Sequence, residues 1–486
     1  MQLTGYVQAS EPGIIQLWVG MFGCASPPAL QVFIDDKLAV PTTPLTLYPI
    51  RDLEMDAAGN PANYQSVVRF TVPKGADPHQ IRLDADGQTY ALTTTSLPES
   101  VPTLLDGSFN ILLSSCYSQP EDDHGLLGTI VSQIKVRPDL TLLSGDQVYL
   151  DLPLDQSVPS ANPDRARMFA KKYEVNWLSG ALRVPGLQSV LERAPIVCIP
   201  DDHEFWNNYP FRQVQLPDTL STPSRKLLGD TARALYEDYQ IGGEPGVAGG
   251  ATRLDVAPLK MLFVDMRCDR DADFNKLMSD KSAAALATWV QDLLDAQAAN
   301  QPAVGVLASG QALFLDAPNA FSKHLADAEM ANYAQFATVQ NAITTLAGKG
   351  IPVVYMTGDV HWGRVACGTD NQTGTVLYEV ISSPSRLIHV PGIDAVKDSA
   401  NKIKGIFSAG VSWPHHSPPA TPPSRFGPNA RFSVTEQYGQ RGDQVAILSF
   451  TRVGGGVDMQ VTYYGISSDK SLSQSRTTPR FELRVR

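Results

Sequence analysis

Two distant stretches of the chain end alike. "LTLLSGDQVYLD" and "VVYMTGDVHWG" each run through apolar residues and stop at Gly-Asp. A second group able to bind a cation follows each: Tyr149 after Asp146, and His361 after Asp359. Other apolar runs finish in the same manner. "FNILLSS" leads to Cys116, and "APIVCIP" to Asp201, Asp202, His203 and Glu204. "LKMLFVD" leads to Arg267 and Arg270, and "AVGVLASG" to Gln311. Glycine allows a sharp exit from a strand, so a short Asp side chain can turn back over the sheet edge. Carboxylates gathered this way cannot all stay ionised without cations. Mixed carboxylate, imidazole, thiol and phenol donors suit a transition metal beside a harder ion. Asp146 is the natural bridge between two ions. Tyr149 as phenolate and Cys116 as thiolate favour Fe(III), with Asp202, Asp359 and His361 completing the coordination. Paired cations activate water and neutralise charge in phosphoryl transfer, and Arg267 and Arg270 offer planar donor forks for phosphate.

Each residue also has a plainer reading. Cys116 alone would be a small buried hydrophobe, Asp201 a turn cap or a support for a ligand, Arg267 a partner of Asp265, and Gln311 a donor to backbone. Two other classes compete with metal-assisted hydrolysis. A hydrolase with Cys116 as nucleophile needs a base such as His124 or His203, and it leaves the carboxylates unexplained. A scaffold that kept the fold and lost its chemistry needs an emptied site, whereas the donors are all present.

The elements that must carry these groups change character along the chain. From Met1 to about Thr103, short β-type runs ("IIQLWVG", "LQVFID", "SVVRFTV", "QIRLDA", "QTYALTT") are separated by Gly, Pro, Asp and Asn, which predicts an antiparallel sandwich. From Phe109 near-continuous apolar runs predict strands buried on both faces. Helical patterns lie between them, including "RARMFAKKYEVNWLSGAL", "SAAALATWVQDLLDAQAA" and "AEMANYAQFATVQNAITTLAGKG". The class is therefore α/β, divided as a β prefix over 1–103, a catalytic domain over 104–466 and a tail over 467–486. "WPHHSPPATPPSRFGP" is a Pro-rich loop, with His415 and His416 at the surface or in a lid.

Composition bounds the partners. The chain has 486 residues, 43% hydrophobic and 18% charged, which is ordinary for a globular protein. A net charge of -11 without a basic run speaks against a nucleic-acid groove. No apolar stretch is long enough to span a bilayer, and the N-terminus lacks a signal-peptide pattern. Five scattered cysteines do not form a disulfide framework. The expectation is a cytoplasmic protein, or a secreted one if a presequence was removed.

"SGDQVYLD", "PDDHEFWNN", "VDMRCDR" and "TGDVHWG" resemble, in this order, the signature blocks of alkaline phosphatase D-like (PhoD-type) metallophosphoesterases. "SSCYS", Trp177 and "YEVISSP" support the resemblance, which covers Ser114 to Pro384. It implies the αββα layered sandwich of the calcineurin-like superfamily, with a dinuclear metal centre at the strand ends, behind a small all-β (Ig/FnIII-like) domain. It implies metal ligands at Cys116, Asp146, Tyr149, Asp202, Asp359 and His361. His203 is similar to the histidine that contacts phosphate and assists the leaving group, with Arg267 beside it. Asn207, Asn208 and Arg270 would meet the substrate. The implied activity is hydrolysis of phosphate mono- or diesters by hydroxide held between the cations, Fe(3+) with Ca(2+), Zn(2+) or Mn(2+). The partner is then a phosphorylated small molecule or a phosphodiester.

Overall fold

The computed structural model describes the chain except residues 76, 123, 153–156, 181–183, 214–215, 302, 316–328, 388–418, 468–470, 473–474 and 486. The reading of His415 and His416 as surface or lid residues falls outside the described residues, as does the first part of the Pro-rich loop, up to residue 418.

The apolar runs after Phe109 become strands in two separate large sheets. Phe109–Ser114, Leu140–Ser144 and Ile196–Ile199 lie side by side and parallel in an eleven-stranded sheet. Leu259–Val264, Val304–Ala308 and Val353–Thr357 do the same in an eight-stranded sheet. All six point their carboxyl ends toward the residues singled out above. The strands are buried almost throughout, as expected for sheets covered on both faces.

One core gathers side chains from both large sheets, among them Ile111, Leu113, Leu142 and Ile199 from the first and Met261, Phe263, Val306 and Met356 from the second. A second core packs the first sheet against helices α1 (Leu126–Gln133), α2 (Asn162–Trp177), α3 (Leu187–Leu191) and α4 (Thr222–Tyr236). A third packs the second sheet against α5 (Asp280–Ala298) and α6 (Phe336–Gly348). Helix starts follow local chemistry: Ser221 and Ser279 accept the Ser224 and Ser282 amides as caps of α4 and α5. The architecture is mixed α/β with several sheets.

The five β-type runs of the N-terminal region are all strands, and Gln2–Gln8 is a further one. Gln2–Gln8, Ile14–Phe22, Tyr64–Thr71 and Tyr48–Pro49 pair in antiparallel order, and the first also meets the strand Ile196–Ile199 through Gln8 and Ile196. These strands therefore prolong the eleven-stranded sheet. A four-stranded sheet from Leu30–Ile34, Lys37–Leu38, His79–Ala85 and Gln88–Thr94 faces them over a core that includes Leu17, Val19, Val32, Val68 and Leu83. The tail supplies two short strands, Ser475–Thr477 and Phe481–Leu483, which pair with Gly456–Gly465.

Candidate metal centre

The two Gly-Asp ends meet from opposite sheets. A side chain at Gly145 would place its Cβ 2.5 Å from the Asp201 Cβ, and one at Gly358 would lie 2.2 Å from Ser115 Oγ. The glycines therefore let neighbouring strand ends close up. The residues that carry the chemistry take the left-handed backbone: φ is +54° at Cys116, +57° at Asp146, +58° at Asn208, +69° at Asp359 and +58° at His361. Such conformations are costly for side-chain-bearing residues and cluster where geometry is over-determined.

Ligand atoms of Asp146, Asp201, Asp202 and Asp359 lie within 4.8 Å of one another, and Asp146, Asp202 and His203 form an overlapping group on the same criterion. Cys116 Sγ is 3.3 Å from Asp146 Oδ2 and also receives the Ser383 hydroxyl at 3.2 Å. The His361 amide donates to that same hydroxyl at 3.2 Å. Tyr149 lays its ring against His203, with centroids 4.3 Å apart, and its hydroxyl has no hydrogen-bond partner among the described residues.

The predicted donors thus converge in unequal ways. Asp146, Asp202 and Asp359 fall into one group, Cys116 touches it, and Tyr149 adjoins it. His361 is tied in through Ser383 and belongs to neither carboxylate group. Asp201 enters the group instead, but Arg267 grips its Oδ1 through Nε at 2.7 Å and Nη2 at 2.6 Å. Arg267 also donates to the Tyr209 carbonyl at 3.0 Å and stands 3.8 Å from Asp202. Its guanidinium is buried and committed to holding Asp201; the partner considered from sequence, Asp265, accepts the backbone amides of Gly249, Arg267 and Cys268 instead. Arg270 donates to the Met266 carbonyl and to Gln311 Oε1 and lies over the Tyr333 ring. The Asn207 amide binds Asp151 Oδ2, and the Asn208 amide binds Asp202.

Two residues that sequence reasoning quoted without assigning a role turn out to organise the site. Glu204 accepts the amides of Asp146 and Asp201 at 2.9 Å and of Gln147 at 2.7 Å, so one carboxylate pins two strand-end turns together. Gln240 supports it at 3.1 Å. Gln240 lies in the wide turn Glu237–Ile241 that follows α4, whose carbonyls accept from Tyr6 Oη, Trp18 Nε1 and Gln8 Nε2 of the N-terminal strands. Asp151, the last residue of "SGDQVYLD", accepts from His203 Nδ1 at 2.8 Å and is fully buried. Its only sequence signal was an acid close behind the Gly-Asp turn.

Electrostatics follow from this crowding. Burial lifts the Asp146 carboxyl well above the usual range; His203 opposes the shift and the neighbouring carboxylates add to it. Asp201 is pushed up to about 6 by burial against the pull of Arg267. Glu204 is pushed up to about 7 by burial despite its amide donors. At Asp202 burial is outweighed by Arg267, His203 and the Asn208 amide, so its carboxyl stays below the usual value. Burial opposes charge on His203, but Asp151 and Asp202 prevail and hold it well above an ordinary imidazole. Burial raises the Cys116 thiol and the Tyr149 phenol, and nearby acidic groups raise them further.

This donor set fits metal ions. Several buried carboxylates share the cations of Arg267 and His203, and both Tyr149 Oη and Asp201 Oδ2 are buried without a hydrogen-bond partner among the described residues. Metal ligands must shed protons to bind, so a cation resolves the charge conflict that otherwise keeps these groups protonated.

No protein-family model and no curated protein matches the chain. Among solved structures, that of PhoD aligns with 99% of this chain and 90% of its own, at 13% identity and a TM-score of 0.61. GAP50, the anchor in the inner membrane complex of Plasmodium, aligns over 78% of this chain and 90% of its own at 9% identity and a TM-score of 0.36. The chain has a PhoD-like fold.

Proposed function

We propose that the protein is a metal-dependent phosphoesterase that hydrolyses phosphate mono- or diesters. The observation that carries this reading is the buried convergence of Asp146, Asp201, Asp202 and Asp359, with His203 beside them, at the ends of strands from two sheets. The likeness to PhoD supports it at the level of fold. On this reading the helix-flanked sheets are the αββα metallophosphoesterase sandwich over 104–466, behind an Ig/FnIII-like β prefix over 1–103 and ahead of the tail over 467–486.

Cys116, Asp146, Tyr149, Asp202, Asp359 and His361 would hold two or more cations. The phenol and thiol favour Fe(3+) in one position, with Ca(2+), Zn(2+) or Mn(2+) in the other. Bound there, the cations supply Lewis-acid activation of water and neutralise charge on phosphate. The chain's own residues do the rest. Asp151 orients His203 through Nδ1, which turns Nε2 into the proton carrier, and the raised imidazole pKa keeps that proton available for the departing alkoxide. Arg267 holds Asp201 in place rather than meeting substrate. Arg270, Asn207 and Asn208 remain the groups assigned to substrate contact.

Elemental analysis of purified protein, with turnover of aryl phosphate mono- and diesters under added Fe, Mn, Zn and Ca, tests the reading. Bound metal and metal-dependent product release are expected. Silence under every metal condition overturns it.

A further inference from the structure

A cavity of about 420 Å³ is lined in part by Tyr149, the residue whose ring also contacts His203. Its walls include Tyr117, Val148, Tyr149, Leu152, Met168 and Val175. The volume suits a small organic group. Helix α2 builds one side with Met168, Lys171, Lys172, Val175 and Asn176, spaced as one helical face. A different stripe of the same helix, Phe169, Ala170, Tyr173 and Trp177, fills the core. Met168 and Val175 are only partly buried, so α2 turns apolar groups toward open space as well as inward.

Among the described residues, the two lysines that line the cavity already have partners. Lys172 is spent on the Tyr149, Leu150 and Leu152 carbonyls, and Lys171 on Glu174. The one lining carboxylate, Glu121, would repel an anion. Tyr149 joins the cavity to the chemistry, since its ring rests on His203, the residue assigned to protonating the leaving group.

We propose that this cavity seats the apolar part of the alcohol that the enzyme releases, so that the protein selects phosphoesters of apolar alcohols. The inference rests on the phosphoesterase reading. In the reaction a water oxygen bonds to phosphorus and its proton passes to bulk solvent, the P–O bond to the alcohol breaks with its electron pair leaving on the alcohol oxygen, and that oxygen takes a proton from His203, which solvent then restores. The alcohol's carbon skeleton then lies on the Tyr149 side of the site.

The test is a series of n-alkyl phosphates, methyl to octyl, or their methyl diesters if only diesters react. These leaving alcohols differ in length and hardly in acidity. With metal-loaded full-length protein, kcat/KM is expected to climb roughly three-fold per added CH2 until the cavity is full. Val175→Arg and Met168→Glu, each normalised to its own methyl ester, should flatten that slope. A flat series in the wild-type protein with the methyl ester still turned over overturns the cavity assignment and leaves the phosphoesterase reading standing. A slope that survives both substitutions also overturns it. If no ester reacts, calorimetry decides: n-octylphosphonate should bind at least ten-fold more tightly than methylphosphonate, and equal affinities overturn the proposal.

Discussion

The strand ends of the two large sheets face one another across the candidate centre, but they are furnished differently. The first sheet supplies Cys116, Asp146, Tyr149, Asp151, Asp202 and His203, with Glu204 bonding the loops to each other. The second supplies Arg267, Arg270, Gln311, Asp359 and His361. A charged tie between the two is the Arg267–Asp201 pair, in which both side chains are almost wholly buried. One side is thus mostly acid and proton carrier, and the other contributes the compensating guanidinium charge. The difference teaches that two neighbours in sequence, Asp201 and Asp202, can have separate tasks. Asp201 is held by an arginine of the opposite sheet, whereas Asp202 is the one proposed to bind a cation.

Substitutions on the two sides should therefore fail in different ways. The largest effect is expected for Asp146→Asn, which removes the carboxylate shared by both donor groups. Activity should fall about 10⁴-fold, with loss of metal by elemental analysis. The metal-free variant should melt no lower than the metal-free wild type, because a buried carboxyl that resists ionisation has been removed. Next is Arg267→Met on the opposite side. It strands Asp201 as a buried unpaired acid and should cost about 3–5 kcal/mol of stability by chemical denaturation. If Arg267→Met kept full stability and lost only activity, the division between the two sides would be wrong. Asp151→Asn should leave folding intact and lower kcat roughly 10²-fold, with KM much less affected. Esters with better leaving groups should suffer less, which separates lost proton donation from general damage.

The smallest effect concerns pH. Burial holds the folded-state values of Asp201 at about 6 and Glu204 at about 7, above ordinary carboxyl values. The folded chain therefore binds protons more tightly than the unfolded chain between roughly pH 4 and pH 7. Metal-free protein should lose stability as pH rises through that window, seen as a falling Tm from pH 5 to pH 8. Metal-loaded protein should show a weaker or reversed trend, because ionised ligands are what the cations bind. Parallel trends in the two forms would mean that these carboxyls and the cations do not share one site.

Much of the scaffold could be read from residue order. Continuous apolar runs such as "LTLLSG" and "VVYMTG" are strands, and each ends where Gly-Asp indicated. The N-terminal β character was also readable, because alternation and turn residues are local signals. The joining of Gln2–Gln8 to Ile196–Ile199 was not, since one long-range backbone pairing leaves no periodic trace. The same limit hid the work of Glu204 and Asp151. Both stood inside quoted motifs, but their value lies in which amides and which ring nitrogen they reach. Arg267 shows the converse. An arginine three residues past a strand end invites a phosphate, and only its distance to Asp201 shows that its charge is already used.

By itself the sequence determined the donor types, their places at strand ends and the α/β alternation, because these depend on local composition and spacing. The tertiary structure alone decided which carboxylates meet, which of them an arginine neutralises, and which acid orients His203. Those outcomes depend on distances between segments tens to hundreds of residues apart. Burial and Coulomb interactions at such contacts set the ionisation of each group, and no residue carries that information alone.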